Sequence, residues 1–574
     1  MKMIVMMKKA NKIKGMNIMK IISLLLVVTT WSLYAAQIPN ISDITKEVKP
    51  PKIEKKKEIL PPLEKESDAY KISFKDGKKV LIRSFSFSGN TKISTQNLQS
   101  ILKAYEDKNL SFKEIQDLVR LLTKEYRDQG YFLARAYIPT QDLQQQNAVL
   151  QIAIVEGEYG EFKLQNNSIV KDSILQAHLD SIKANKVIAL QDLQRALLLI
   201  NDTPSVKVSS TQVSAGEEIG TSDFIIGTTS TQRYNGYIIG DNYGSDYTGK
   251  YRLMAGMDIN SPFKIGDKIS VSALSSQDLG LLNGRVAYEF PLYIHGLRAE
   301  ISYSKTSYEL GSSYEDLDAI GGADSLVASV TYPMIRSTNE NLNTYLRLSY
   351  NKMIDEIQAN LLEIEKNTLV SKLGVTYENN QAIFDTYSQT KLDTSLTFGK
   401  LNFKDDADKA DDEAGANTYG NFSKVNIELQ NNTLLTKQLS WKNKLQFQYA
   451  LGNKNLDGSE DLSIGGVYGV RLYPASEENA ENGYIYNTEL IYNLPAYSNL
   501  SSKLGVFYDI AKVKMSQNIT AQSSRTLQDI GLSYYGIYKD FFLNAHFAHK
   551  LGGETIESED DYDALLLLQA GWFF

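Results

Sequence analysis

Cysteine is absent from the 574 residues. That excludes thiol catalysis, cysteine–zinc sites and any disulfide framework. Histidine is nearly absent: His178, His295, His546 and His549 are the four in the chain. They are scattered, and His546 and His549, three apart, face opposite sides of a strand, so no metal cage is expected. Neither charge sign dominates. The net charge is −7 with acids and bases mixed throughout, which gives no electrostatic footprint for nucleic acid. Long apolar runs are also missing: beyond Ile21–Val28, nothing reaches the roughly 20 residues of a spanning helix. No nucleophile-elbow, metal-ligand or phosphate-loop spacing occurs, so the chain is expected to be no enzyme, with no catalytic residue and no cofactor.

What the chain does have is tyrosine, 35 against 20 phenylalanines. Such a bias suits a surface where rings meet both lipid and water. At the start, lysines at 2, 8, 9, 12, 14 and 20 precede Ile21–Val28 and then "WSLYAAQ". A basic region, an apolar region and small residues describe a secretory signal peptide over 1–36, cut near Ala36. A retained anchor is the alternative, but the apolar run is short for it. Residues 37–79 are poor in core residues. Ile38 to Val48 can form a short helix, and "KPPKIEKKKEILPPLEKES" reads as an extended linker.

From Val80 the pattern becomes regular. "VLIRSFSFSGN" alternates as a strand. "STQNLQSILKAY" is a helix capped by Ser94, and "SFKEIQDLVRLLTKEYRDQG" is a second, capped by Ser111 and stopped by Gly130. Ile115, Leu118, Leu121 and Leu122 form its apolar stripe. "YFLARAYI" and "AVLQIAIVEG" are strands, completing a β-α-α-β-β unit. The same order recurs from "EFKLQNN" to "SDFIIGTTS", so 80–156 and 157–230 form an internal repeat. Such units have exposed sheet edges that can accept an extended peptide as an added strand. A bland spacer role is the alternative.

Residues 232–574 show only short alternating segments. In "LRAEISYS", Leu297, Ala299, Ile301 and Tyr303 oppose Arg298, Glu300, Ser302 and Ser304. "WKNKLQFQYAL" and "YLRLSYN" divide in the same way. A membrane barrel with a wet lumen has this pattern, though a soluble sandwich also alternates. The signal peptide, the tyrosines and the final strand "ALLLLQAGWFF", with Trp572 and the terminal Phe574, favour the barrel. The acidic runs "KDDADKADDEAG" and "ESEDDYD" are then solvated loops, and neither has calcium-loop spacing.

Two such modules followed by a barrel resemble two POTRA domains and the transporter of the two-partner secretion family, the haemolysin/haemagglutinin secretion and activation proteins. The resemblance covers about 80–574. It is carried by "GNTKIS", "GYFLARAYIPTQDLQQQNAVLQIAIVEG", "DNYGSDYTGKYRLMAGMDINSPFKIGD" and "GGVYGVRLYPASEENAENGYIYNTEL". The last holds Val470-Arg471-Leu472-Tyr473, where relatives carry Val-Arg-Gly-Tyr/Phe, so Leu472 replaces the usual glycine. The resemblance implies α+β periplasmic modules and an all-β barrel of 16 antiparallel strands in the bacterial outer membrane. It implies a loop around 465–483 folded into the lumen, with Arg471 paired to an aspartate of the wall, and a plug helix in the position of residues 38–48. The resemblance places that aspartate in "KLGVFYDIAKV", and parity independently turns it inward. In "KLGVFYDIAKV", Leu504, Val506, Tyr508 and Ile510 share a lipid face, so Gly505, Phe507, Asp509 and Ala511 face inward. Relatives usually have glycine at the position of Ala511.

The resemblance also implies partners: one large β-helical exoprotein with an N-terminal secretion domain, outer-membrane lipid, and the barrel assembly machinery that reads Trp572 and Phe574. No nucleic acid is expected, and the chain is expected to be monomeric. Transport proceeds without ATP. An outer-membrane assembly factor, which usually carries more modules, and a passive porin, which needs none, are the alternative functions.

Overall fold

The computed structural model describes residues 39–48, 60–65, 79–141, 148–292, 295–383, 386–475, 477–517 and 524–574. The expected signal peptide and most of the expected linker lie outside these residues. The chain opens with helix α1 (Ile41–Glu47), started by a capping box in which Asn40 accepts from Ser42 N–H and Asp43 returns to the Asn40 N–H. Strand β1 (Leu63–Lys65) follows.

The first module runs β2 (Lys79–Ser88), α2 (Thr95–Leu102), β3 (Lys108–Ser111), α3 (Phe112–Asp128), β4 (Arg135–Tyr137) and β5 (Ala148–Val155). Ser94 caps α2 and Ser111 caps α3, as the sequence suggests. Two details differ from the sequence reading. Four residues between the helices pair with β2 as an edge strand, too short to show a period. Leu121 lies outside the buried stripe of Ile115, Leu118 and Leu122, because the stripe's i, i+3, i+7 spacing leaves position 121 turned to solvent. The apolar faces of both helices pack on Ile82, Leu150, Ile152 and Ile154 of the sheet.

The second module repeats the plan as β6 (Glu158–Asn167), α4 (Asp172–Lys183), α5 (Leu190–Asn201), β7 (Val206–Ala215) and β8 (Thr221–Ser230). Leu175, Leu179, Leu193, Leu197, Phe224 and Ile226 form its core. It is fastened to one rim of the barrel. Arg336 makes a two-pronged pair with Asp202, both contacts 2.7 Å. Arg195 donates to the Pro333 carbonyl at 2.6 Å, and Ser205 to the Asn260 carbonyl at 3.2 Å.

The barrel closes from Tyr234–Asp241 round to Ala564–Phe573 in sixteen antiparallel strands, apart from the two-residue strand Ala382–Ile383 in a turn. A closed sheet leaves no unpaired edge in lipid. The alternation predicted from the sequence is present: Ile301, Tyr303, Leu346, Leu348, Trp441 and Phe447 are exposed on the outer wall. The closing seam is short. Gln569–Phe573 pair with Tyr237–Asp241, and Phe574 extends the seam by exchanging backbone bonds with Gly236 at 2.8 and 3.0 Å. Trp572 stacks on Phe541 with ring centres 6.1 Å apart and lies against Phe574 at 4.8 Å. The acidic run from Lys404 is not all loop. Asp406–Ala414 form an exposed helix, α6, capped by Asp405, a cap-and-charge signal that the sequence reading took as solvated coil.

Candidate functional site

Two elements occupy the lumen. The first is the long loop between strands Leu439–Ala450 and Asn482–Asn493. Its tip turns tightly: Tyr473 N–H bonds to the Val470 carbonyl at 3.2 Å, and Gly466 N–H to the Tyr473 carbonyl at 2.7 Å. Leu472 is not among the positive-φ residues, so leucine fits the turn without strain. Val470, Leu472 and Tyr473 are buried against Ile485, Phe507, Ala511 and Leu527 of the inner wall.

Arg471 extends from this tip into a charged pocket. Its Nε lies 3.2 Å from Asp509 Oδ2, and its Nη2 lies 3.5 Å from Glu489 Oε2. The guanidinium carbon sits 3.8 Å above the Phe507 ring, and Nη1 donates to Ser533 at 3.2 Å. Asp509 is fully buried and Arg471 is 8% exposed. Leu504 and Val506 on the same strand are exposed outward at 47% and 53%, so the strand's two faces divide as its parity predicts.

Around this pair the wall is shaped to fit. Asn487 donates to Asp509 at 2.9 Å and to the Gly469 carbonyl at 2.7 Å, joining wall to loop. Asp529, opposite Asp509 in the next strand, accepts the Leu472 N–H at 2.6 Å. Tyr535 donates its hydroxyl to Glu489, 2.9 Å from each carboxylate oxygen. A side chain at Gly505 would strike the Glu489 carboxylate, and one at Gly531 would strike the Phe507 ring. Of the residues marked in the sequence, Val470, Arg471, Tyr473, Gly505, Phe507 and Asp509 therefore meet in one place. Trp572 and Phe574 lie apart, at the seam. Glu489, Asn487, Asp529, Ser533, Tyr535 and His546 were not singled out. Parity in "TLQDIGLSYY" would have turned Asp529 and Ser533 inward. His546, whose Nδ1 is 3.0 Å from Ser533, had no such signal beyond facing away from the exposed His549.

The second lumen element is α1. Ile41 and Ile44 are buried beside Met254, Leu274, Leu281 and Met353 of the wall. The Ile41 N–H donates to Asp355 at 2.7 Å, and Thr248 donates to Glu47 at 3.1 Å. Arg252 reaches the Glu47 carbonyl at 3.0 Å. The helix also touches the loop: Ser42 donates to Asp457 at 3.0 Å, and Asn479 to Asp43 at 3.0 Å. Lys366 holds Asp457 from the wall at 2.7 Å.

Comparison with known proteins fixes the family. Residues 220–536 match the haemolysin secretion/activation protein family ShlB/FhaC/HecB, and residues 80–157 match the ShlB-type POTRA domain. The chain belongs to this two-partner secretion family. It is an outer-membrane β-barrel transporter with periplasmic POTRA domains. It is 27% identical over 448 residues to the heme/hemopexin transporter protein HuxB of Haemophilus influenzae (strain 86-028NP), covering 77% of this chain and 78% of that one. It is 21% identical over 432 residues to the outer membrane transporter CdiB of Dickeya dadantii (strain 3937), covering 73% and 74%. In fold it is similar to CdiB from Escherichia coli (TM-score 0.73, 17% identity, covering 89% of this chain and 92% of that one). It is also similar to CdiB from Acinetobacter baumannii (TM-score 0.65, 19% identity, covering 96% and 97%). With the POTRA modules periplasmic, the rim that holds the second module is the periplasmic one. The loop of Arg471 enters from the cell exterior, and α1 sits beside the outer ends of its wall strands.

Proposed function

We propose that this transporter secretes one large, β-helical exoprotein through the lumen, with the loop and α1 as its two internal fittings. The observation that carries this reading is a polar lumen occupied by the loop and α1, under a rim to which the second module is fastened. Cargo enters unfolded, because an extended chain is what a sheet edge recognises. Folding outside the cell gives the passage its direction, since the folded product cannot return; no nucleotide is needed. Arg471 and Asp509 hold the loop against the wall and define the width of the path. The helix α1 plugs the resting pore. The aromatic end, Trp572 and Phe574, is read by the barrel assembly machinery as the strand that closes the seam. The cargo is an adhesin or haemolysin. By likeness to HuxB, whose name specifies heme/hemopexin, a haem-related exoprotein belongs to the same set.

Deleting residues 80–156 tests the capture step. The expected result is loss of the exoprotein from the medium with a barrel that still inserts and shows heat-modifiable gel mobility. Normal secretion by the truncated protein contradicts the reading.

A further inference from the structure

One stretch of the lipid-facing wall is nearly bare of side chains. It crosses the strands Arg252–Asn260, Lys268–Ser276, Leu281–Pro291 and Arg298–Glu309. Ala255 pairs with Ala273, Ala273 with Gly284, and Gly284 with Lys305. Paired residues point to the same face, and all four are exposed on the outside of the barrel. The neighbouring row on the periplasmic side is taller, with Met257, Val271 and Val286. Leu253 and Leu282 stand on the exterior side. Between these banks lies an open trough of about 460 Å³. That is far more than one water molecule fills.

Nothing in the chain requires glycine at 284. A Cβ added there meets no atom within 4 Å, whereas the space above Gly374 and Gly399 of the inner wall is filled by the rings of Tyr345 and Phe422. A glycine inside a strand weakens it and often marks a place where a ligand approaches the backbone closely. Lys305 closes one end of the trough. It makes no ion pair among the described residues, and Asp324, its partner on the next strand, accepts the Tyr303 hydroxyl instead. The row is also tilted. In the other direction it runs from Ala255 to Ile238 and Trp572, at the periplasmic end of the last strand. Lys305 lies near Glu309, at the exterior end of its own strand. The trough therefore climbs from the middle of the wall toward the outer surface, with its cation at the top.

We propose that this trough binds lipopolysaccharide of the outer leaflet: one acyl chain lies along Ala255, Ala273 and Gly284, and a phosphate of the lipid A headgroup pairs with Lys305. The small residues admit the chain close to the backbone, and the taller banks hold it from both sides. A lysine that faces lipid near the membrane surface and has no carboxylate of its own is matched by an anionic headgroup. The height of Lys305 assigns the lipid to the exterior leaflet, where lipid A supplies both the phosphate and the chain.

The test uses purified full-length protein in detergent, titrated with lipid A carrying both phosphates and followed by native mass spectrometry. The native protein should hold one lipid A more tightly than any further copies. Lys305→Gln should weaken that first binding about fivefold, the effect of losing one cation that faces an anionic lipid headgroup. Lipid A stripped of its phosphates should bind the native protein about as weakly as the phosphorylated lipid binds Lys305→Gln. Gly284→Leu, whose side chain starts in open space and fills the trough, should lose the first binding of both lipids. The two variants carry the test independently, and heat-modifiable gel mobility shows that each is folded. Native-like binding of lipid A by either folded variant overturns the site. Phosphatidylglycerol that displaces lipid A at equal concentration overturns the assignment to lipopolysaccharide, because any anionic lipid then suffices.

Discussion

The loop and the helix share one lumen, and they are held in different ways. The loop is covalently continuous with wall strands at both ends, and its tip buries a guanidinium between two carboxylates and an aromatic ring. The helix has seven residues and is not joined directly to a wall strand at either end. Its bonds to the wall run mostly through its ends and through single polar contacts. An isolated helix of that length is not stable in water, so its order is borrowed from the seat. The difference separates a fitting built to stay from one built to leave. A buried ion pair is costly to break because the surviving charge is stranded. A seven-residue helix held by single polar contacts and two buried isoleucines gives up less on leaving, since water replaces the polar bonds it loses.

The largest effect should come from breaking the fixed element. Asp509→Arg places two cations face to face in the Arg471 pocket. Removing one partner of a buried pair costs roughly 3–5 kcal/mol, and the wetter lumen reduces that figure. Secretion should fall more than tenfold, measured as exoprotein in the medium, with barrel mobility on gels unchanged because the backbone ladder does not depend on this pair. Arg471→Asp should do the same, and the double reversal should recover part of the loss. Failure to recover would point to the planar, forked geometry of arginine over Phe507 as the requirement.

Removing the movable element should act in the opposite direction. Deletion of residues 41–47 should keep secretion within about twofold of normal while raising resting conductance in planar bilayers severalfold, as expected when a weakly held plug is lost. A deletion that silences secretion as completely as Asp509→Arg would erase the distinction between the two elements.

Smaller effects should grade between them. Phe507→Ala removes the ring beneath the guanidinium, worth about 0.5–2 kcal/mol, and should lower secretion a few-fold. Lys366→Met leaves Asp457 without its cation, so the carboxylate that accepts from Ser42 becomes costly to bury. This change should raise resting conductance modestly and leave secretion intact, showing that the helix seat can be weakened without disturbing the Arg471 pocket at the loop's tip.

How far these elements are visible in the sequence depends on what holds them. The barrel was legible because lipid demands a strict two-residue period, as in Leu504, Val506 and Tyr508 against Gly505, Phe507 and Asp509. The modules were legible because Ser94, Ser111 and Gly130 mark their helix ends. The loop site was half legible. Arg471 and Asp509 lie in motifs, but Asp529, Tyr535 and His546 reach the pocket only through barrel register, which pairs residues far apart in the chain. The strand Lys108–Ser111 and helix Asp406–Ala414 were missed because one is too short for a period and the other is polar all round, stabilised by its cap and carrying no apolar face to announce it. The parallel pairing of β1 on β7 was not legible at all, since three residues in a charged, proline-rich segment carry no strand signature.

The contrast between fixed loop and removable helix is most directly tested by distance measurements between spin labels in lipid, using single cysteine pairs in the cysteine-free chain. One pair joins Ala475 of the loop to Ala496 in a periplasmic turn; the other joins Thr45 of the helix to the same reference. The account predicts one narrow distance distribution for the loop pair. For the helix pair it predicts two populations, one seated in the lumen and one released from it. A loop distribution as broad as that of the helix, or a helix held in a single population, would contradict it.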